Sequence, residues 1–266
     1  MAKIVALANQ KGGVGKTTTA VNLSACIGAA GKRVLLVDSD PQGNATSGFG
    51  VDRRQLARSL YEVLIGAASA QEALLTGVVE GVDLLPSAIG LTGAEIEMVE
   101  LPSREMRLKA ALAPLADRYD WIFIDCPPSL GLLTVNALSA AQGILIPMQC
   151  EYYALEGLSL LLQTVELVRR GLNPTLHVEG VLLTMVDGRT NLAQQVEAEV
   201  RSFFGDKVYT VRIPRNVRLS EAPGFGKPII YYDVRAAGAE AYLKLAGEVL
   251  DGQEGVRQRI VGADTE

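Results

Sequence analysis

A lysine and a threonine follow a glycine-rich stretch near the start of the chain, in "NQKGGVGKTTTA" (residues 9–20). The backbone amides of such a stretch, with the first turn of a following helix, form an anion site for the phosphates of a nucleotide. In this type of loop the lysine, here Lys16, contacts the β- and γ-phosphates, and the hydroxyl of Thr17 ligates Mg²⁺. We therefore predict a phosphate loop over residues 11–17. The alternative is a flexible glycine turn before a helix.

The phosphate loop departs from the usual pattern at one end. A strict P-loop has a glycine at position 10, where this chain has Gln10 followed by a second lysine, Lys11. The rest of the loop is conventional, because glycines let the backbone approach the phosphates where a Cβ would intrude. Four residues are predicted to wrap the phosphates: Gly12, Gly13, Val14 and Gly15.

Three aspartates come at the ends of predicted strands. Asp38 and Asp40 lie in "VLLVDSDPQGN", and Asp125 closes the apolar run in "WIFIDCPP". In open α/β sheets ligands bind beyond the carboxyl ends of the strands, so these side chains are expected to converge on the phosphate loop. Such a loop needs an acidic partner for the Mg²⁺ shell, and Asp125 has the position of a Walker B aspartate. A solvated strand-end cap is the alternative, above all for Asp38.

Short apolar runs alternate with longer amphipathic ones along the chain. The predicted strands are 4–9, 33–40, 82–86, 120–128, 143–149, 176–187 and 207–214. The predicted helices are 16–30, 104–119 (ended or kinked at Pro114), 130–141, 154–170, 191–204 and 236–250. This alternation predicts one α/β domain over residues 1–250, with a mostly parallel sheet and helices on both faces. Residues 251–266 are predicted to be a flexible tail.

Composition restricts the class of protein. The chain has 266 residues, of which 48% are hydrophobic, and a formal net charge of −5. No apolar stretch reaches the length of a membrane span, and no signal peptide is recognisable, so we expect a soluble cytoplasmic protein. Three widely spaced cysteines, Cys26, Cys126 and Cys150, indicate reduced thiols rather than a disulfide framework or a zinc site.

Six segments together resemble the ParA/Soj chromosome-partitioning ATPases. They are "KGGVGKTTTAVNLS", "VLLVDSDPQGNAT", "FIDCPPSLGLLTVNAL", "PMQCEYYALEGL", "TMVDGRTNLAQQV" and "IPRNVRLSEAPGFGKPI". They occur in family order from residue 1 to about 250. This family belongs to the deviant Walker A class of P-loop ATPases, with the MinD cell-division ATPases and the nitrogenase iron protein. The resemblance implies an ATP- and Mg²⁺-dependent enzyme that forms an ATP-dependent homodimer.

The resemblance also implies roles for individual residues. Lys11 matches the signature lysine, which reaches the phosphates bound by the other subunit of the dimer. Asp40 matches the residue that orients the attacking water, and Asp125 the residue that contacts Mg²⁺ through water. Three further residues are implied at the nucleotide: Thr18 at the α-phosphate, with Pro214 and Asn216 in the loop beside the adenine. Slow turnover is expected until a partner completes the site.

Basic residues are concentrated late in the chain. Between residues 201 and 235, seven Lys and Arg face three Asp and Glu, although the whole chain is acidic. Such polarised charge is typical of a surface that tracks nucleic-acid phosphates, and a merely solvated basic face is the alternative. The family resemblance implies non-specific binding to double-stranded DNA through Arg189 and Arg218, association with the nucleoid, and stimulation by a ParB-type centromere-binding protein. Lys227 is a further candidate contact.

Other functions remain open from the residues alone. A MinD-like ATPase needs an amphipathic carboxyl-terminal helix, and the tail "DGQEGVRQRIVGADTE" lacks an aromatic anchor, so no membrane partner is expected. A P-loop small-molecule kinase needs a substrate pocket that the sequence does not specify. A nitrogenase-type electron carrier needs cysteines at cluster spacing, which this chain lacks.

Overall fold

A computed structural model describes residues 1–151, 154–187 and 191–250. Arg189 and the predicted tail at 251–266 lie outside these residues. The strands are β1 (Lys3–Leu7), β2 (Val34–Asp38), β3 (Leu75–Val79), β4 (Val82–Leu85), β5 (Trp121–Asp125), β6 (Gly143–Gln149) and β7 (His177–Thr184). The helices are α1 (Lys16–Ala29), α2 (Asn44–Gly48), α3 (Leu60–Ile65), α4 (Ala70–Ala73), α5 (Leu91–Glu97), α6 (Arg107–Leu112), α7 (Leu132–Ala140), α8 (Ala154–Gly171), α9 (Asn191–Phe204), α10 (Val217–Glu221), α11 (Ile229–Tyr232) and α12 (Ala237–Val249).

The seven strands form one sheet in the order β3-β4-β2-β5-β1-β6-β7. Every pairing is parallel except that of β3 with β4, which confirms the predicted mostly parallel sheet. β1, which leads into the phosphate loop, lies between β5 and β6. Asp125 is in register with Leu7 on one side and with Asp38 on the other, so three neighbouring strands end at one edge of the sheet.

An apolar core lies on each face of the sheet. Because side chains alternate along a strand, Val5 and Leu7 join the core under α1 and α12, whereas Ala6 joins the core on the opposite face. Inside the first core, the Thr19 hydroxyl of α1 and the Tyr242 hydroxyl of α12 are hydrogen-bonded at 3.1 Å. The helix that begins at the phosphate loop is thus fixed along its inner side.

The predicted strand over 207–214 is wrong. Val208 and Pro214 each make one isolated parallel bridge, to β7 or to the segment directly after it. Between them the amides of Thr210 and Val211 donate instead to the carboxylate of Glu248, at 2.6 Å and 3.0 Å. The amides of Tyr209 and Ile213 still donate to carbonyls of β7, at 3.0 Å and 2.9 Å. The segment therefore runs beside β7 with an interrupted ladder instead of forming a regular strand, and Pro214 has no amide to donate.

One predicted helix is much shorter in the structure, and one strand was missed. The helix predicted over 104–119 contains only α6, with a 3-10 turn on each side, and the second turn contains Pro114, as expected for a helix ended by proline. β3 was not predicted, although Gly81, with φ 70°, turns it into β4. Within the described chain, no helix is long and apolar enough to cross a bilayer.

Candidate nucleotide-binding site

The phosphate loop takes the backbone conformation that its glycines allow. Gly13 and Gly15 have φ of 73° and 84°, in the left-handed region, and Gly15 is the N-cap of α1. The amides of Lys16, Thr17 and Thr18 in the first turn of α1 donate to no acceptor in the described part of the chain. Free amides at the positive end of a helix form an anion site, which is the site the sequence predicts.

Two buried polar residues anchor this loop to the sheet. The amide of Asn9 donates to the carbonyl of Pro147 in β6 at 2.8 Å, and its oxygen accepts from the backbone N–H of Lys11 at 3.0 Å. The hydroxyl of Thr184, at the end of β7, donates to the carbonyl of Val14 at 2.8 Å. Neither anchor was predicted from the sequence. Their one signal is that each is a polar residue at the end of an apolar strand.

Lys16 lies under the loop and is only 6% exposed. Its ammonium donates to the carbonyl of Lys11 at 3.2 Å, and its other N–H groups have no acceptor among the residues described. Burial lowers the pKa of Lys16, whereas the negative charge of Asp125 acts in the opposite direction. The position fits a lysine with hydrogen-bond donors available for phosphate oxygens.

Asp125 is a buried carboxylate without a hydrogen-bond partner. Both of its oxygens lie below the surface, and neither accepts a hydrogen bond from the described residues. Burial, and then the neighbouring charge of Asp38, raise the pKa of Asp125 well above its ordinary range; the nearby Thr17 hydroxyl acts against this rise. An unpartnered buried carboxylate is costly, so this residue fits a bound cation or the water shell of one.

Asp38 is not the solvated cap that the sequence left open. It is fully buried, and one oxygen accepts hydrogen bonds from the amide and the hydroxyl of Thr46, at 2.7 Å and 2.6 Å. Burial raises the pKa of Asp38 to about 6, although the bonds from Thr46 lower it. Asp38 therefore organises the protein around the site, while Asp125 is open to a ligand.

Asp40 lies two residues beyond the end of β2 and is 6% exposed. One carboxylate oxygen accepts from the amide of Gln42 at 2.9 Å. The other accepts no hydrogen bond in the part of the chain described here. Its charge acts on the pKa of Lys16 and on that of Asp125, so Lys16, Asp38, Asp40 and Asp125 lie close enough to interact electrostatically.

The side chain of Lys11 makes a different contact from that of Lys16. Its ammonium forms an ion pair with Glu151, just beyond β6, at 2.5 Å, and the two side chains are 35% and 51% exposed. The two lysines of the phosphate loop thus differ in environment. Lys16 is buried near the aspartates, and Lys11 is held at the surface by a carboxylate.

The predicted adenine loop lies beside the segment directly after β7, where Pro214 bridges to Val186. Pro214 is half-buried, and the side-chain oxygen of Asn216 caps α10 by accepting from the amide of Leu219 at 3.2 Å. This cap leaves the amide group of Asn216 as a hydrogen-bond donor for a base edge.

The candidate nucleic-acid residues are only partly described. Arg218 is 54% exposed on α10 and pairs with Glu221 at 2.8 Å and Asp233 at 3.5 Å, so its charge is partly compensated. Lys227 is exposed. Arg189 lies outside the described residues, and the structure therefore does not relate it to Arg218.

A phosphate loop between β1 and α1, a buried lysine and strand-end aspartates define a P-loop nucleoside triphosphatase. Residues 2–178 match the family described as AAA domain. The chain is 60% identical over 249 residues to the sporulation initiation inhibitor protein Soj of Bacillus subtilis, a match covering 94% of this chain and 98% of that protein. It is 52% identical over 250 residues to the chromosome partitioning protein ParA of Caulobacter vibrioides, covering 93% and 94%. The chain belongs to the ParA/Soj family of chromosome-partitioning ATPases.

Solved structures give the same class. The structure of cobyrinic acid a,c-diamide synthase from Mycobacterium smegmatis with bound ADP and magnesium is 40% identical, with a TM-score of 0.82 and 94% of both chains covered. The cell division ATPase MinD of Pyrococcus furiosus is 27% identical with a TM-score of 0.77, covering 94% of this chain and 99% of that one.

Proposed function

We propose that this ATPase is a Mg-ATP-dependent switch that dimerises with ATP, binds DNA without sequence preference and drives chromosome or plasmid segregation. A ParB-type centromere-binding protein would stimulate hydrolysis, and the protein would associate with the nucleoid in the cytoplasm. The observation that carries the proposal is that the two lysines of the phosphate loop lie in different environments. Lys16 is buried with the aspartates, whereas Lys11 lies at the surface, where a second subunit can meet it.

Nucleotide binding uses the free amides of α1 and the ammonium of Lys16, which meet the charge of the phosphates. The Thr17 hydroxyl and Asp125 would hold Mg²⁺, directly or through water, and the unpartnered oxygens of Asp125 support this assignment. Bound Mg²⁺ neutralises charge on the phosphates. Val14 and the glycines of the loop, with Thr18, complete the phosphate site, and Pro214 and Asn216 bound the adenine.

Hydrolysis depends on two further groups. Asp40 orients the attacking water. One of its carboxylate oxygens accepts no hydrogen bond from the described residues and is therefore available for this role. Lys11 of a second subunit supplies positive charge at the transferring phosphate, as an arginine finger does in trans. Because that charge comes from a partner, hydrolysis is conditional on dimerisation, and basal turnover is slow.

DNA binding would use Arg218, Lys227 and Arg189. A dimer presents two copies of this basic surface, so affinity for the phosphate backbone rises with dimerisation and falls with salt. The ion pairs of Arg218 with Glu221 and Asp233 compete with DNA. The DNA-bound state therefore requires an exchange of partners at Arg218.

Two lysine variants test the proposal. Lys16→Ala is expected to lose binding of ADP itself, because it removes the cation within the subunit. Lys11→Ala is expected to bind ADP normally but to fail in dimerisation and stimulated hydrolysis. Calorimetry with ADP, sedimentation with a non-hydrolysable ATP analogue, and ATPase assays with DNA and a ParB-type partner, alone and together, measure these steps. Equal loss of ADP affinity in both variants would contradict the assignment of Lys11.

The name of the mycobacterial relative suggests amide synthesis as another activity. Transfer of nitrogen from glutamine needs a reactive nucleophile such as a cysteine thiolate. Burial raises the pKa of Cys26, Cys126 and Cys150, which keeps all three as thiols. The chain therefore offers no activated cysteine among its three, and we do not propose this activity.

A further inference from the structure

The segment that carries Asp40 is a short loop between β2 and α2. We call residues 40–43 the switch loop. Within it, the amide of Gly43 donates to the carbonyl of Asp40 at 2.9 Å, which closes a turn. This single backbone bond does not fix the orientation of the turn relative to the phosphate loop, so other contacts must do so.

Arg53 supplies contacts of this kind from the 3-10 turn that follows α2. Its Nη2 donates to the carbonyl of Pro41 at 2.6 Å, and its Nη1 donates to the carbonyl of Gln42. Its Nε donates to the carbonyl of Ser87, beyond β4, at 3.2 Å. Among the described residues no carboxylate forms an ion pair with Arg53. The guanidinium, a rigid planar fork of donors, thus joins the switch loop to the end of another strand.

The switch loop is shaped to receive this side chain. Gly43 has a φ of 63°, and a Cβ built on it would overlap the side chain of Arg53. Glycine is therefore needed twice at this position, for its left-handed backbone and for the space that the guanidinium fills.

Ser87 connects Arg53 to Asp40 by a second path. Its carbonyl accepts from Arg53, while its hydroxyl donates to the carbonyl of Asp40 at 2.7 Å. Its amide donates to the hydroxyl of Thr46 at 2.9 Å, and that hydroxyl donates to Asp38. Ser87, Thr46 and Asp38 are fully buried, so the network is shielded from water. Arg53 closes this network on its outer side.

We propose that Arg53 is a positioning residue for ATP hydrolysis, which acts by holding the switch loop and with it the carboxylate of Asp40. The inference rests on the proposed function, because it assigns Asp40 to the attacking water. A carboxylate that orients water works through placement, and a displacement of about 1 Å can reduce a rate about 100-fold. Among the described residues, none of the hydrogen bonds of Arg53 reaches the phosphate loop, so nucleotide binding is not expected to depend on it directly.

The test compares two adjacent arginines. Arg53→Gln removes the three carbonyl contacts, and Arg54→Gln is the matched control, because Arg54 is 80% exposed and pairs with Asp52. We expect Arg53→Gln to lower kcat at least about 10-fold with KM changed less than about 2-fold, while dimerisation with an ATP analogue persists. Arg53→Lys, with one compact ammonium, should restore only part of the rate. Arg54→Gln should behave as wild type.

Two further measurements separate positioning from general stability. Amide hydrogen exchange in the peptide over 40–50 should rise in Arg53→Gln but not in Arg54→Gln, with the strands of the sheet unchanged. In an Asp40→Ala background, Arg53→Gln should have no additional effect on the residual rate, because both act through one carboxylate.

Three results would overturn the inference: an unchanged kcat in Arg53→Gln, an equal loss in Arg54→Gln, or the full reduction retained in the Asp40→Ala background. A wild-type protein that does not hydrolyse ATP would instead refute the proposed function.

Discussion

From the ion pair between Lys11 and Glu151 we predict that a contact within the monomer competes with ATP-dependent dimerisation. The proposed dimer needs the Lys11 ammonium at the phosphates of the other subunit, but in this structure the ammonium lies 2.5 Å from Glu151 of its own chain. A cation cannot make both contacts fully, so dimerisation must break the pair in each subunit. Glu151→Gln removes the competing charge and is expected to strengthen the ATP-dependent dimer.

The size of the effect follows from the exposure of the pair. With side chains 35% and 51% exposed, the pair belongs with surface salt bridges, which contribute about 0.2–1 kcal/mol. Two pairs break for each dimer formed, which gives about 0.4–2 kcal/mol. At 1.4 kcal/mol per factor of ten, Glu151→Gln should tighten the dimer about 2-fold to 30-fold. Salt screens such pairs, so the gain should shrink as ionic strength rises.

Sedimentation equilibrium with a non-hydrolysable ATP analogue, over a series of protein and salt concentrations, measures this constant. Glu179→Gln is the control, because Lys3 and Glu179 also form an ion pair at 2.5 Å but lie at the amino end of the sheet, opposite the phosphate loop. It should leave dimerisation unchanged. An unchanged dimer in Glu151→Gln would refute the competition, and a weaker dimer would refute it and assign Glu151 a contact within the dimer.

Three further predictions concern the aspartates and the basic surface. Asp40→Ala should bind ATP and accumulate as a DNA-bound dimer; size-exclusion chromatography showing a monomer, or hydrolysis at the parental rate, would contradict its role. Asp125→Asn should raise the melting temperature of the nucleotide-free protein, and should raise it more at about pH 8 than at about pH 5. The reason is that the pKa of Asp125 is raised, so its charged form destabilises the fold. Equal gains at the two pH values in calorimetry would contradict this. Arg218→Glu should abolish ATP-dependent binding to two unrelated DNA duplexes, whereas Glu221→Gln should strengthen that binding. Filter binding in a salt series measures both effects. Changes in the same direction in the two variants would reject the exchange of partners at Arg218.

The arrangement of the site could be predicted from sequence because it depends on local signals. Two apolar runs that end in aspartates, and one that ends in a glycine loop, place their ends at one edge of a parallel sheet whatever the details of packing. The distinct environments of Lys11 and Lys16 could not be read from these signals, since the environment of Lys11 depends on Glu151, distant in the chain.

The contacts that Arg53 makes with the switch loop likewise could not be predicted from the sequence. Arg53 has an arginine beside it with the same local signal, and only the folded loop shows which of the two meets the carbonyls. The wrong strand over 207–214 has a similar cause. The amides of Tyr209 and Ile213 do donate to β7, but Glu248 of α12 accepts from the amide of Val211 between them, which interrupts the ladder.

The raised pKa values of the buried residues Asp38 and Asp125 explain why a bound ligand would stabilise the folded protein. Asp38 has a pKa of about 6, above its value of about 3.9 in an unfolded chain. Its contribution to stability is therefore greatest below about pH 3.9 and is lost as pH rises toward 6, so at neutral pH the nucleotide-free fold carries an unrelieved charge. Asp125, raised in the same direction and without a hydrogen-bond donor, adds to this cost. A cation bound at Asp125, as proposed, would relieve it, and a ligand that binds only the folded state stabilises that state more the more tightly it binds. In the proposed switch, the acidic cluster that destabilises the fold without nucleotide would thus couple the switch loop and the phosphate loop to bound Mg-ATP.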